Sequence, residues 1–125
     1  MNNKEIIEKL LVALFEHQLI IKMYHFQTKS YGAHKTVDKY SDKYRENLDK
    51  LMEVAQGAFG RVGNKKINIE FSTKTDENIV EHIKNFVNLL KELFNERFEN
   101  YPELQNVKDD ILADAQQLIY LLSFK

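Results

Sequence analysis

The sequence of 125 residues contains no cysteine, a single proline at position 102 and only four glycines. The lack of cysteine excludes disulfides, thiolate catalysis, iron–sulfur clusters and cysteine-ligated zinc sites. The shortage of proline and glycine permits long uninterrupted helices, because these two residues are the ones that most often break them. Hydrophobic residues make up 43% of the chain and charged residues 30%, so the composition is that of an ordinary globular domain.

Long apolar runs and basic blocks are also lacking. The most apolar stretch, residues 6–21, is interrupted by Glu8, Lys9, Glu16, His17 and Gln18, so we expect no membrane span. The first residues lack the pattern of a signal peptide, and we therefore expect a cytoplasmic protein. The formal net charge is −1, and we expect no strong DNA binding, because such binding needs several phosphate-neutralising cations.

Apolar residues recur at spacings of three and four along four segments, which is the pattern of amphipathic helices. We predict helices over residues 4–27 and 33–59, from a cap at Thr75 to about residue 98, and over residues 104–123. The boundaries are marked by the turn-prone residues 28–32, the glycines at 57, 60 and 63, and Pro102. We expect all four helices to form one domain over residues 1–125.

The segment between the second and third predicted helices contains Ile67, Ile69 and Phe71 in alternation. Because a lone strand would have no partner, we predict an extended crossover that lies over apolar surface. A long connection between helices 2 and 3 predicts an all-α, ferritin-like four-helix bundle. A simple up-down-up-down bundle is the alternative that the helix pattern leaves open.

Five residues of metal-binding type lie in the order H-x8-H-x3-D-x10-D-x3-E: His25, His34, Asp38, Asp49 and Glu53. On a helix, His34 and Asp38 share one face, and so do Asp49 and Glu53, because each pair is four residues apart. At 100° per residue, all four fall in one narrow stripe of the second helix. The sequence therefore predicts a metal-binding face.

The two pairs cannot bind one ion within a single chain. Asp38 and Asp49 are about 16 Å apart along the helix axis, whereas ligand atoms lie only ~2.0–2.6 Å from an ion. A second copy of the helix, packed antiparallel about a two-fold axis near Lys43 and Tyr44, would set Asp38 of one chain opposite Asp49 of the other. We therefore predict self-association through the second helix, with two shared sites per dimer.

One common kind of site is absent. Di-iron carboxylate bundles place Glu-x-x-His pairs inside a single bundle, and no glutamate here has a histidine three residues later. Of the two remaining histidines, His17 lies in the apolar stripe of the first helix and is predicted to be a hydrogen-bonded core residue. His82 is predicted to be exposed.

The segment around residues 24–53 resembles the ferroxidase motif of Dps-like miniferritins. It includes Tyr24-His25-Phe26, His34 to Asp38, and Asp49-Lys50-Leu51-Met52-Glu53. The resemblance implies iron as the metal, with His25, His34 and Asp38 from one subunit and Asp49 and Glu53 from the other. It also implies iron(II) oxidation by a possible ferroxidase, iron storage or detoxification, and a dodecameric assembly.

A second interpretation belongs to a different class. The spacing from His25 to His34 is about one turn shorter than is usual in that family, and the crossover is short for its extra small helix. These differences favour a non-catalytic, dimeric helical-bundle module with a degenerate or non-iron site. Zinc or manganese would bind the same ligand types, and affinity order favours zinc over iron(II).

Overall fold

The computed structural model describes residues 1–124 and contains four α-helices. They are α1 (Asn3–Gln27), α2 (Tyr31–Phe59), α3 (Ile79–Phe94) and α4 (Pro102–Leu121). The prediction of an all-α four-helix bundle is confirmed, while residue 125 of the predicted domain lies outside the described residues. No helix among residues 1–124 is long and apolar enough to cross a membrane.

Each helix packs against two of the others. The neighbouring pairs are α1 with α2, α2 with α4, α4 with α3, and α3 with α1. In the described chain, α1 and α4 lie diagonally across the bundle, as do α2 and α3. The apolar stripes of the four helices meet in one continuous core, as their amphipathic pattern predicts.

Contacts at the two ends of the bundle give the helix directions. Asp76, just before α3, accepts a hydrogen bond from Tyr24 near the end of α1. Tyr101, just before α4, packs edge-on against Phe59 at the end of α2, with ring centroids 4.8 Å apart. Therefore α2 and α3 run parallel, and the segment between them returns along the bundle. This is the ferritin-like connection, and it excludes the up-down-up-down alternative.

The crossover, residues 60–78, follows α1 from its first turns to its end. The Val62 N–H donates to Gln56 Oε1 at 3.2 Å. Lys65 forms an ion pair with Glu8 on α1. Half-buried Ile69 lies further along the same path. The segment is extended but forms no strand in the described chain, so the prediction of an extended crossover is confirmed.

Asp76 fastens the end of the crossover to the turn between α1 and α2. One carboxylate oxygen, Oδ1, accepts from the Tyr24 hydroxyl at 2.8 Å and from Thr28 Oγ1 at 2.6 Å. The other accepts from the Lys29 N–H at 3.1 Å. The hydrogen bonds from Thr28, Tyr24 and Lys29 hold the pKa of Asp76 below its ordinary value, because they stabilise the ionised carboxylate.

Both predicted ends of α3 were wrong. The helix begins at Ile79, since the Thr75 N–H donates to Asn78 Oδ1 at 2.7 Å and residues 76–78 form a turn before it. It ends at Phe94, because Glu96 and Phe98 have positive φ angles of 56° and 59°. Phe98 is buried although it lies beyond the end of α3, so the apolar residues keep a helical spacing where the chain is no longer helical.

Two glycines near the end of α2 should respond oppositely to alanine. Gly60 has φ 93° and ψ 161°, a conformation that is essentially confined to glycine. We expect Gly60→Ala to lower the free energy of unfolding by about 1–3 kcal/mol. Gly57 is helical, and a Cβ there meets no atom within 4 Å. Gly57→Ala should therefore raise stability by up to about 1 kcal/mol.

Urea denaturation of the two variants, compared with the parent, checks this pair. The two changes in the free energy of unfolding need not be equal in size, but they must have opposite signs. A stabilising Gly60→Ala variant would show that the chain tolerates a side chain at this turn.

Candidate metal centre

The short turn between α1 and α2 brings His25 and His34 face to face. Their ring centroids are 3.8 Å apart and the ring planes differ by 19°. Each ring bonds to the backbone of the other residue: His25 Nδ1 lies 3.2 Å from the His34 carbonyl oxygen, and His34 Nδ1 lies 2.8 Å from the His25 carbonyl oxygen. The turn starts α2 early, at Tyr31, where the Ala33 N–H donates to Ser30 Oγ.

These bonds assign the tautomer of both imidazoles. A carbonyl oxygen only accepts, so each Nδ1 must carry the hydrogen and each Nε2 keeps its lone pair. An Nδ1–H bonded to a backbone carbonyl is the usual support for a histidine that binds metal through Nε2. While the rings stay stacked, an ion about 2.1 Å from one Nε2 and in the plane of that ring lies outside the plane of the other ring, so the two imidazoles would bind separate ions or one ring would turn.

The three predicted carboxylates lie on the outer surface of α2. Asp38, Asp49 and Glu53 are all exposed, and none has an ion-pair partner among residues 1–124. Asp38 follows His34 by one turn. Asp49 and Glu53 border a groove of about 390 Å³ whose other walls include Leu11 and Phe15 of α1.

The structure thus brings together two of the five predicted residues, His25 and His34, and keeps the far pair on another part of α2. Within residues 1–124, no three histidine or acidic side chains lie close enough to hold a metal ion. The continuous helix from Tyr31 to Phe59 retains the separation of about 16 Å between Asp38 and Asp49 on which the prediction of two half-sites depends.

A family model matches residues 25–122, which is most of the chain. Its description is a family of unknown function, DUF5856. The chain belongs to this family. No curated protein and no solved structure matches it. In this DUF5856 member, the matched segment begins at His25 and includes all five predicted ligands, whereas most of α1 lies outside it.

The DUF5856 chain also contains a polar group in its core. His17 is only 1% exposed, which confirms the prediction of a core histidine. Its Nε2 lies 2.8 Å from the Tyr40 hydroxyl, and its Nδ1 lies 2.9 Å from His82 Nε2. Its ring also stacks on Phe86, with centroids 3.8 Å apart.

The prediction that His82 is exposed was wrong. His82 is half-buried and lines a cleft of about 840 Å³ between α1, α3 and the crossover. Burial, and secondarily the charge of Lys74, lowers the pKa of His82 to about 4. Burial also lowers the pKa of His17 well below 6.5. One sequence feature indicated this contact. The predicted core residue His17 needs hydrogen-bond partners when buried, and His82 is one of only three other histidines that could serve.

Proposed function

We propose that this protein binds iron(II) as a substrate at sites shared between two copies of the chain and oxidises it, in the manner of Dps-like miniferritins. One half of each site would hold His25, His34 and Asp38 of one chain, and the other half Asp49 and Glu53 of its partner. Storage or detoxification of the iron(III) product, in a dimer or a larger assembly, completes the proposal.

The observation that carries this proposal is the pair His25 and His34. Two imidazoles whose Nδ1–H groups are held by backbone carbonyls present two free Nε2 atoms at the start of α2. An exposed carboxylate, Asp38, follows one turn later. Imidazole nitrogen and carboxylate oxygen together suit iron(II), and they suit zinc and manganese as well.

The surface around the far pair supports the shared arrangement. Asp49 and Glu53 are exposed, and apolar side chains of α1 and the crossover, Leu11, Phe15 and half-buried Val62, lie in the same groove. An apolar surface beside ligand-type carboxylates suits contact with a second copy, because association buries the apolar groups and supplies the missing ligands.

The carboxylates and the imidazoles of the proposed site would have different effects on iron oxidation. The carboxylates of Asp38 and Glu53 favour the iron(III) product over iron(II), since anionic ligands stabilise the higher charge. The neutral imidazoles add no charge, and they keep their orientation through the carbonyl bonds. Each iron(II) gives up one electron, so two iron(II) ions and two protons would reduce one hydrogen peroxide to two water molecules, or one dioxygen to hydrogen peroxide.

The substitution pair Asp38→Ala with Glu53→Ala tests this function. We expect the rate of iron(II) oxidation, followed by iron(III) absorbance, to fall by roughly 10-fold or more, because each loss removes an anionic ligand from a different half-site. Metal analysis of the purified protein, combined with its mass in solution, gives the second readout. The variant should bind less iron, while the mass of its assembly in solution should show the same number of subunits as the parent.

A matched control removes two exposed carboxylates elsewhere. Glu81 and Glu92 are exposed on α3, which lies diagonally across the bundle from α2. Glu81→Ala with Glu92→Ala changes the net charge by the same amount and should leave the oxidation rate unchanged. Equal rates in the parent and the Asp38/Glu53 variant would reject the proposed site.

The stacking of His25 on His34 also favours a second candidate, a non-catalytic helical-bundle module. In that function the reciprocal carbonyl bonds serve only to close the α1–α2 turn. The protein would then be a stable dimer whose metal site is degenerate or takes zinc or manganese. Purified protein without iron, in which His34→Ala lowers stability but does not alter iron(II) binding, would favour this module.

A further inference from the structure

A hydrogen-bonded chain crosses the core from α2 to α3. It joins Tyr40 on α2, His17 on α1 and His82 on α3, with separations of 2.8 and 2.9 Å. Tyr40 is 6% exposed and His17 is 1% exposed, while His82 lines the cleft beneath the crossover. The chain therefore leads from a buried phenol to a solvent-facing cleft.

The chemistry of the three groups sets the direction of the bonds. If the Tyr40 hydroxyl donates to His17 Nε2, then His17 Nδ1–H donates to His82 Nε2, and the remaining Nδ1–H belongs to His82, which lines the cleft. The opposite direction would leave the Tyr40 O–H buried without an acceptor, at a cost of about 1–3 kcal/mol. The first direction satisfies every group.

Such a chain can carry a proton out of the core. When the phenol loses its proton to His17 Nε2, His17 passes its Nδ1 proton to His82 Nε2, and His82 releases its Nδ1 proton to water in the cleft. A phenolate left behind would be a buried charge, and burial raises the pKa of Tyr40 far above its ordinary value. A neutral tyrosyl radical leaves no buried charge.

We propose that Tyr40 is a redox-active tyrosine whose oxidation is coupled to proton release through His17 and His82. Tyr40 gives one electron to a high-potential metal complex in its oxidised state and its phenolic proton to His17 Nε2, and one proton leaves from His82 Nδ1. The products are the neutral Tyr40 radical, the reduced oxidant and one proton in solution. This activity does not depend on the iron site proposed above.

The neighbouring Tyr44 provides the contrast. It is equally buried, one turn further along α2, and its ring stacks on that of Tyr40 with centroids 5.8 Å apart. Its hydroxyl donates to the backbone carbonyl oxygen of Leu14 at 2.6 Å. A carbonyl accepts a hydrogen bond but is far too weak a base to take the proton, so oxidation of Tyr44 has no proton exit.

Tyr24 is a third buried tyrosine, and its hydroxyl is bonded to a carboxylate. Its hydroxyl donates to Asp76, whose carboxylate also accepts hydrogen bonds from Thr28 and the Lys29 N–H and would lose part of this bonding on taking up the proton. Oxidation should therefore select Tyr40 over both Tyr44 and Tyr24.

The test uses metal-free protein and photo-oxidised ruthenium tris-bipyridine as the oxidant, with radicals detected by electron paramagnetic resonance. The exposed Tyr31 and Tyr120, 74% and 63% accessible, are first replaced by phenylalanine to remove surface radicals. In that background, we expect a persistent tyrosyl signal that Tyr40→Phe abolishes. Tyr44→Phe and Tyr24→Phe should leave it unchanged.

Two further variants test the proton path. His17→Gln can accept the hydrogen bond of Tyr40 but cannot take its proton, and the radical yield should fall by roughly 10-fold or more, since a positioned base contributes 10²–10⁴-fold. His82→Gln should lower the yield as well, because the proton would then stop on buried His17. The His82→Gln variant also tests the proton path if His17→Gln does not fold, because His82 is only half-buried and its replacement should be tolerated.

A signal that survives Tyr40→Phe would overturn the proposal, and so would yields in the folded histidine variants equal to that of the background. A slower radical formation in deuterated water, lost in His82→Gln, would support the proton path independently of the yields.

Discussion

Mixing two inactive variants should restore about a quarter of the parent's rate of iron(II) oxidation. One variant carries His34→Ala and Asp38→Ala, and the other carries Asp49→Ala and Glu53→Ala. Each homodimer would lack one half of both sites. A dimer with one chain of each kind would regain one complete site of the two, and random exchange makes about half of all dimers mixed.

The expected value separates a shared site from other arrangements. Sites built within one chain would give no recovery on mixing, because every chain would lack part of its own site. Mixing before and after a step that allows subunits to exchange provides the control, since recovery should appear only after exchange. Full activity in either variant alone would reject the division of ligands between two chains.

The folded protein should lose stability as the pH falls below 6.5. His17 and His82 stay neutral in the folded protein because burial lowers the pKa of both. The unfolded chain takes up these protons near pH 6.5, so their contribution to stability is complete above pH 6.5. It is lost as the pH falls from 6.5 towards 4, the pKa of folded His82, and further for His17.

For His17 alone, the free energy of unfolding should fall by about 1.4 kcal/mol per pH unit below pH 6, the value for one proton. Urea denaturation at a series of pH values measures this slope, and His17→Gln or His82→Gln should reduce it. Asp76→Asn provides a control because its effect on stability falls in a different pH range. The pKa of Asp76 is lowered from 3.8, so its stabilisation is lost only as the pH falls below about 4. A slope unchanged in both histidine variants would contradict the assignment.

The sequence predicted the bundle, its four helices and its extended crossover because each of these depends on local patterns. Spacings of three and four marked α1, α2 and α4 to within a few residues, and Gly60 marked the end of α2. The ends of α3 were different. The Thr75 N–H donates to the Asn78 side chain, and the helix begins only after Asn78 and not after Thr75. Phe98 is buried although the helix has already ended, so its position in the apolar spacing reflects tertiary packing.

The candidate sites show the same division. Helix geometry alone could separate Asp38 from Asp49, and the structure keeps that separation. The stacking of His25 on His34 depends on the exact path of a three-residue turn, which residue types do not specify. The contact between His17 and His82 joins residues 65 apart and needs α1 and α3 to pack side by side, so only a three-dimensional structure could show it.

The crossover has a consequence for the order in which the chain folds. The contacts between His25 and His34 close a loop of only nine residues, whereas those from Thr28 to Asp76 and from Lys65 to Glu8 join residues 48 and 57 apart. Long loops cost more entropy to close and slow the steps that depend on them. The α1–α2 hairpin, which carries all five proposed metal ligands, can therefore assemble first and serve as the surface on which α3 and α4 dock.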